Sequence, residues 1–263
     1  MDLCTLWVGG PLSNLETCCL NSAMRAGHVV NVYTYDGVPN PPHGALIRSA
    51  RDVLPESRMI RFRGNGSFAL GSDLFRYELL KRRLGCWIDA DVFFLKALAL
   101  DSQCLFGWED ERSINSAVLY LEHDSQILAD LLTFAYSNPM IPPWWSAEEQ
   151  SKQKGLADEG NSLSMERLQW GIIGPKALTH YARQHGLASL AKPIEAFYPL
   201  HWTEARRSFD PAFNLFERFS HNTCAVHLWN HLIQDLKVLA PPPGSFLSHV
   251  YGSNNIQLAG GPR

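Results

Sequence analysis

The apolar positions change period along the chain, and the changes mark alternating strands and helices. "LCTLWVG" (3–9) is a short apolar run stopped by Gly9-Gly10-Pro11 and reads as a strand. "SNLETCCLNSAMRAG" follows, with Ser13 or Asn14 as N-cap and Gly27 as the stop, and reads as a helix. "HVVNVYTY" (28–35) is β-branched and aromatic, a second strand. A β-α-β opening predicts a parallel sheet with helices packed on it. A Pro/Gly loop over 36–44, a short helix over 45–52, a strand over 58–63 and the loop "GNGSFALG" come next.

"SDLFRYELLKRRLG" (72–85) carries the clearest helical period. Leu74, Tyr77, Leu80 and Leu84 form its apolar stripe. Ser72 can cap it, Asp73 complements the N-terminal dipole, Lys81, Arg82 and Arg83 the C-terminal one, and Gly85 ends it. "CWIDADVFFL", "CLFGWED" and "INSAVLYLEHD" read as strands, and "SQILADLLTFAYSNP" (125–139) as a helix. The stretch 140–162 is polar and Gly/Pro-marked around Trp144-Trp145, and reads as a mobile loop. "SLSMERLQWGIIGPKALTHYARQHG" reads as helical segments broken at Gly174-Pro175. The prolines at 241–243 mark where the compact fold thins out. The expectation is one α/β domain over 1–240 and a C-terminal tail over 241–263.

Composition narrows the partners. A net charge of −3 leaves no basic excess for phosphate backbones, so nucleic acid is excluded as a partner. No run approaches the roughly 20 apolar residues of a membrane span, and "MDLCTLWVGG" lacks the basic start of a signal peptide. The six cysteines form no CxxC or zinc spacing and read as reduced thiols. A cytoplasmic protein is expected, with room for peripheral contact at the inner membrane face. The 8 tryptophans suit a site that stacks flat rings or sugars, and suit a core equally.

"GCWIDADVFFLK" (85–96) holds the candidate chemistry: Asp89 and Asp91 interrupt an apolar run. Strand alternation puts Trp87, Asp89 and Asp91 on one face and Ile88, Ala90 and Val92 on the other. In open α/β sheets ligands sit beyond the carboxyl ends of strands. Paired carboxylates there make a hard-oxygen site for Mg²⁺ or Mn²⁺, and such an ion keeps positions open for substrate phosphates. The bland alternative is a strand-end turn with two solvated aspartates.

"SDLFRYELLKRRLGCWIDADVFFLKAL" (72–98) resembles the Asp-x-Asp glycosyltransferases of the sugar-binding-region family, which includes α-1,4-glycosyltransferases, yeast-type α-mannosyltransferases and clostridial glucosylating toxins. The shared pattern is Ser-Asp-x-x-Arg-Tyr, a Leu-x-x-x-Gly helix end, then aromatic-Ile-Asp-x-Asp. Gly85-Cys86 stands where the family often has two glycines. "LWVGG" (6–10), "GPKALT" (174–179) and "AVHLW" (225–229) are weaker matches in the expected order. The resemblance implies a GT-A type, single Rossmann-like domain with a mixed, mostly parallel sheet, acting as a metal-dependent, retaining glycosyltransferase in polysaccharide biosynthesis. It implies a nucleoside-diphosphate sugar as donor, a UDP-sugar ahead of a GDP-sugar, and a glycan or glycolipid acceptor.

By the same resemblance Asp91 and Asp89 hold the metal, with His227 closing that site. Asp73 and Arg76 bind donor-sugar hydroxyls and phosphate, Trp7 lies against the base, and Trp229 lies beside the leaving group. Asn115 is a candidate donor contact. Each has a structural reading too. Asp73 and Arg76 can be a helix-start acid and its i,i+3 partner, Trp7 and His227 core residues, and Asn115 a turn former. Trp144 and Trp145 can be a lid or surface packing. Retention suggests front-side attack with the leaving phosphate taking the proton, which suits a sequence showing no obvious general base. The alternatives are a non-catalytic carbohydrate- or nucleotide-sugar-binding protein, an aspartyl phosphatase and a nucleotidyltransferase. The first strand has no aspartate after Asp2, and "GGPLSNLE" is no basic phosphate loop.

Overall fold

The computed structural model describes residues 1–61, 66–159 and 171–254. Its main sheet has six strands: β1 (Asp2–Leu6), β2 (Val29–Thr34), β3 (Leu46–Ser49), β4 (Cys86–Ile88), β6 (Cys104–Trp108) and β7 (Ile114–Leu121). Their spatial order is β3-β2-β1-β4-β7-β6. β1 pairs in parallel with β2 and β4, and β2 with β3. β7 runs antiparallel to β4 and to β6, which makes the sheet mixed but mostly parallel. A separate two-stranded antiparallel sheet joins β5 (Val92–Phe94) to β8 (Ala225–His227).

Alternation along β4 shows how the sheet is covered. Cys86 and Ile88 enter one core with residues of α1 (Asn14–Arg25) and α7 (Phe246–Gly252). Trp87 enters the other, beneath α2 (Ala69–Lys81), α3 (Gln126–Ala135) and α5 (Pro175–Gln184). Helices on both faces make a doubly wound, single Rossmann-like layer, as the β-α-β opening predicts.

Several boundaries depart from expectation. Residues 46–49 form β3 rather than a helix, because pairing with β2 outweighs a weak local helical tendency. No strand forms over 59–61, where the chain leaves a 3-10 turn at Glu56–Arg58 and crosses α2; residues 62–63 lie outside the described range. α2 begins three residues before Ser72, so Ser72 is no cap and Asp73 lies beyond the first turn. The expected loop over 140–162 contains α4 (Ala147–Asp158). Its start is a capping box: Ser146 accepts from the Glu149 N–H, and the Glu149 carboxylate accepts from the Ser146 N–H. The helical segments expected over 162–170 lie outside the described residues. Beyond the prolines at 241–243, α7 returns to the core and buries Phe246, Leu247, Val250 and Tyr251.

At Gly85 the backbone has φ +141°, and a Cβ would sit 2.6 Å from the Asp2 carbonyl oxygen. Gly85 thereby lets the end of α2 pass close under β1 and deliver β4 to the centre of the sheet. All six cysteines are free thiols. Among the described residues no helix is long and apolar enough to cross a membrane.

Candidate active site

The carboxyl ends of β1 and β4 and the amino end of β7 share one edge of the sheet. A cleft of about 420 Å³ opens there, within the range of small-molecule sites. Trp7, Asp73, Arg76, Asp89, Asp91, Asn115, His227 and Trp229 all line it. The eight residues named from the sequence therefore meet in one place.

β4 ends at Ile88, and Asp89-Ala90-Asp91 is a turn in which the Val92 N–H donates to the Asp89 carbonyl (3.3 Å). The expected pleat alternation thus stops at Asp89. The chain leaves the main sheet there and pairs anew, as β5 with β8. That pairing sets Val92 opposite His227 and brings the imidazole to the aspartates. One ligand atom from each of Asp89, Asp91 and His227 lies within 4.8 Å of the others.

Asp91 is nearly buried. Its Oδ2 accepts from the Asn230 N–H (2.7 Å), and its Oδ1 lies 3.4 Å from His227 Nε2. Burial alone raises a carboxyl pKa, but the His227 ring and the Asn230 N–H outweigh it and hold Asp91 below the usual carboxylate range. Burial likewise favours neutral His227, and Asp91 reverses that. His227 Nδ1 is buried without a hydrogen-bond partner. Two carboxylates and an imidazole with one ring nitrogen unpartnered are a donor set that suits Mn²⁺ or Mg²⁺.

α2 supplies the opposite wall. Arg76 donates from Nη1 to the Ser116 carbonyl (2.8 Å) and hydroxyl. Its Nη2 reaches Asp89 Oδ1 (3.2 Å) and Asp73 Oδ1 (3.4 Å), and Nε reaches the Ser72 carbonyl (3.4 Å). Its guanidinium lies over the Trp87 ring, and Trp87 Nε1 donates to Asp89 Oδ1 (2.7 Å). Asp89, the most exposed of the three carboxylates, is thus aimed by two donors. Asp73 is buried, and burial lifts its pKa to about 6 against the pull of Arg76, with Asp89 adding to the rise. Gly174, at the start of α5, packs on it: a Cβ there would lie 2.7 Å from both Asp73 carboxylate oxygens.

The remaining residues differ in how tightly they are held. Trp7 is half-buried just beyond β1, with Nε1 donating to the Gly10 carbonyl (2.9 Å). Trp229 is buried, donates to the Leu200 carbonyl (2.8 Å) and packs on His227 with ring centroids 4.1 Å apart. Its φ is +54°, a strained backbone state for an aromatic residue and one that clusters at functional sites. Asn115 is buried and bonded to Glu109, Ala117 and Tyr198. Trp144 packs on Phe134 (5.1 Å) and His180 (5.3 Å), and neither it nor Trp145 lines the cleft.

Sequence reasoning missed two acids. Glu16, fully buried, completes the Ser13 capping box of α1 and also accepts from Asn230 Nδ2 (2.9 Å) and Lys237 Nζ (2.6 Å). Ser-x-x-Glu was its signal, but its distant partners had none. Glu109, at the end of β6, had no signal in "FGWED".

Fold and site together define a Rossmann-like α/β protein whose strand ends carry an Asp-Asp-His group able to hold a divalent metal. Residues 166–254 match the alpha 1,4-glycosyltransferase conserved region. The match contains Gly174, His227 and Trp229 and lies apart from the motif at 72–98 that carried the resemblance. It supports glycosyl transfer as the chemistry of this domain. No curated protein matches the chain.

Proposed function

We propose that this protein transfers a sugar, with retention, from a nucleoside-diphosphate sugar to a glycan or glycolipid hydroxyl, in a cytoplasmic setting. The observation that carries the reading is the convergence of Asp89, Asp91 and His227, with His227 Nδ1 buried and unpartnered. These three residues would hold Mn²⁺ or Mg²⁺. The ion, when bound, supplies positive charge where the diphosphate leaves. Trp7 offers its indole to the base, with a UDP-sugar favoured over a GDP-sugar. Asp73 accepts from a donor-sugar hydroxyl, and Trp229 walls the diphosphate side. Arg76 acts as a positioning residue, because each of its donors already has a protein acceptor. It holds Asp73 and Asp89 in place, and in this reading does not reach the phosphate itself.

A panel of nucleotide-sugars with Mn²⁺ or Mg²⁺, scored by thermal shift and nucleotide release, tests this reading. At least one donor should stabilise the wild type and release nucleoside diphosphate, and Asp91→Asn should do neither. If no donor stabilises the wild type, or Asp91→Asn matches it, the reading fails. NMR of fresh product should show the donor's anomeric configuration kept, and an inverted centre would remove retention.

A further inference from the structure

Glu16 is a carboxylate that the proposed transfer leaves unused. It is fully buried in the first turn of α1. A capping acid needs only the N–H of its cap, and Glu16 Oε2 meets that need by accepting from the Ser13 N–H (2.7 Å). Its Oε1 is engaged elsewhere. It accepts from Asn230 Nδ2 (2.9 Å) and from Lys237 Nζ (2.6 Å), both more than 200 residues further along the chain. Stability does not require such a pair, because a buried ion pair is often no better than an apolar pair of the same volume.

Asn230 joins this carboxylate to the Asp-Asp-His group. Its backbone N–H donates to Asp91 Oδ2 (2.7 Å), and its side-chain NH₂ donates to Glu16. The amide cannot turn over, since an ionised carboxylate offers no proton to an amide oxygen. Asn230 Oδ1 is buried and has no hydrogen-bond partner, so no bond at that end of the amide helps to hold it. The same Glu16 oxygen fixes a second point. Lys237 lies seven residues beyond Asn230, and the stretch between them brings His231 and Gln234 to the cleft. One oxygen thus pins both ends of this part of the wall. Just before Asn230, the Leu228 N–H donates to the Asp91 carbonyl (3.0 Å), so the segment grips Asp91 by backbone and side chain together. With Oδ2 held by Asn230, Oδ1 is the oxygen that faces His227 Nε2 (3.4 Å).

We propose that Glu16 is a positioning residue for the metal site: through the Asn230 amide it fixes the N–H that holds Asp91, and so keeps Asp91 Oδ1 presented beside His227. The inference rests on the reading above that Asp89, Asp91 and His227 hold a divalent ion. Glu16 touches neither ion nor substrate. Groups that orient the ligands of a metal are typically worth about tenfold to a hundredfold in metal affinity.

The test titrates Mn²⁺ alone into wild type, Glu16→Gln, Asn230→Ala and the double variant, with free Mn²⁺ read by electron paramagnetic resonance. Glu16→Gln removes the charge and one acceptor at nearly constant volume. Asn230→Ala keeps the backbone N–H and removes its tether. Glu16→Asp keeps the charge but draws the oxygen back from Asn230, and replaces Glu16→Gln should that variant not fold. Each single variant should weaken Mn²⁺ binding about tenfold to a hundredfold. The double variant should be no weaker than the weaker single one, because both changes cut the same connection. Leu131→Ala, in the core under α3, should lower the melting temperature yet leave Mn²⁺ affinity within about twofold, which separates positioning from general loss of stability. Unchanged Mn²⁺ affinity in the Glu16 variant overturns the inference. So does a double variant whose loss is the product of the two single losses, and so does an equal loss in Leu131→Ala. A wild type that takes up no Mn²⁺ defeats the metal site and the brace with it, whereas wild-type binding beside unaffected variants defeats the brace alone.

Discussion

Replacing Asp73 with Asn separates the burial of its carboxyl from everything else in the α2 wall. The residue is 6% exposed, Gly174 presses on its carboxylate, and Arg76 lies at 3.4 Å. Desolvation dominates, so the folded carboxyl titrates near 6 where the ordinary value is 3.8. The folded state then binds the proton more tightly than the unfolded chain. Stability from this group is fully present below about pH 4 and is lost as pH rises through 6. At 1.36 kcal/mol per unit, the gap between 3.8 and about 6 is worth about 3 kcal/mol. Asn cannot ionise, so the variant lacks this loss. Urea unfolding of wild type and Asp73→Asn at intervals from pH 4 to 7.5 gives the measurement. Relative to wild type, the variant should gain about 2.4 kcal/mol across that range, because part of the unfolded carboxyl is already ionised at pH 4. Differencing the two curves cancels the other titrations. Parallel curves would refute the argument, because they would mean that Arg76 offsets the burial and the carboxyl titrates normally.

Three further outcomes follow from the same site. Gly174→Ala drives a methyl into the Asp73 carboxylate and should cost about 1–3 kcal/mol by thermal melt, less in an Asp73→Ala background; equal costs in both backgrounds would show that the two do not touch. Lys237→Ala leaves Glu16 buried with only neutral donors and should destabilise by about 3 kcal/mol in urea; an unchanged midpoint would remove the pair from the stability argument. EDTA should abolish nucleotide release and added Mn²⁺ should restore it, whereas release that persists in EDTA would exclude a required metal.

The sheet was legible where neighbouring residues decide it. β1, α1, β2 and α3 follow from period and caps, and Asp89 and Asp91 stood out because carboxylates in an apolar run are costly. What was not legible is decided at long range. β3 is a strand because β2 offers it an edge. Asp73 looked like a helix-start acid until α2 proved to begin at Ala69, which leaves that role without support. The pleat that seemed to align Asp89 with Asp91 is a turn, and their meeting with His227 is made by the β5–β8 pairing. Glu16 was marked only as a capping-box acid, since its partners Asn230 and Lys237 lie on distant elements, and Glu109 carried no mark.

The β5–β8 pairing has a consequence for the order in which the protein comes into being. A ribosome releases the N-terminal half first, and domains begin to organise as the chain emerges. Five of the six main-sheet strands other than β7, and then β7 itself, are complete before Ala225 is made. Asp91 must wait for His227 and for the Asn230 N–H, and Glu16 for Lys237. A nascent chain at that stage holds every strand of the main sheet but not the Asp89–Asp91–His227 group. The Asp89–Asp91–His227 group is therefore complete only as translation passes β8, and a product terminated before Ala225 lacks that group along with the α7 residues of the core.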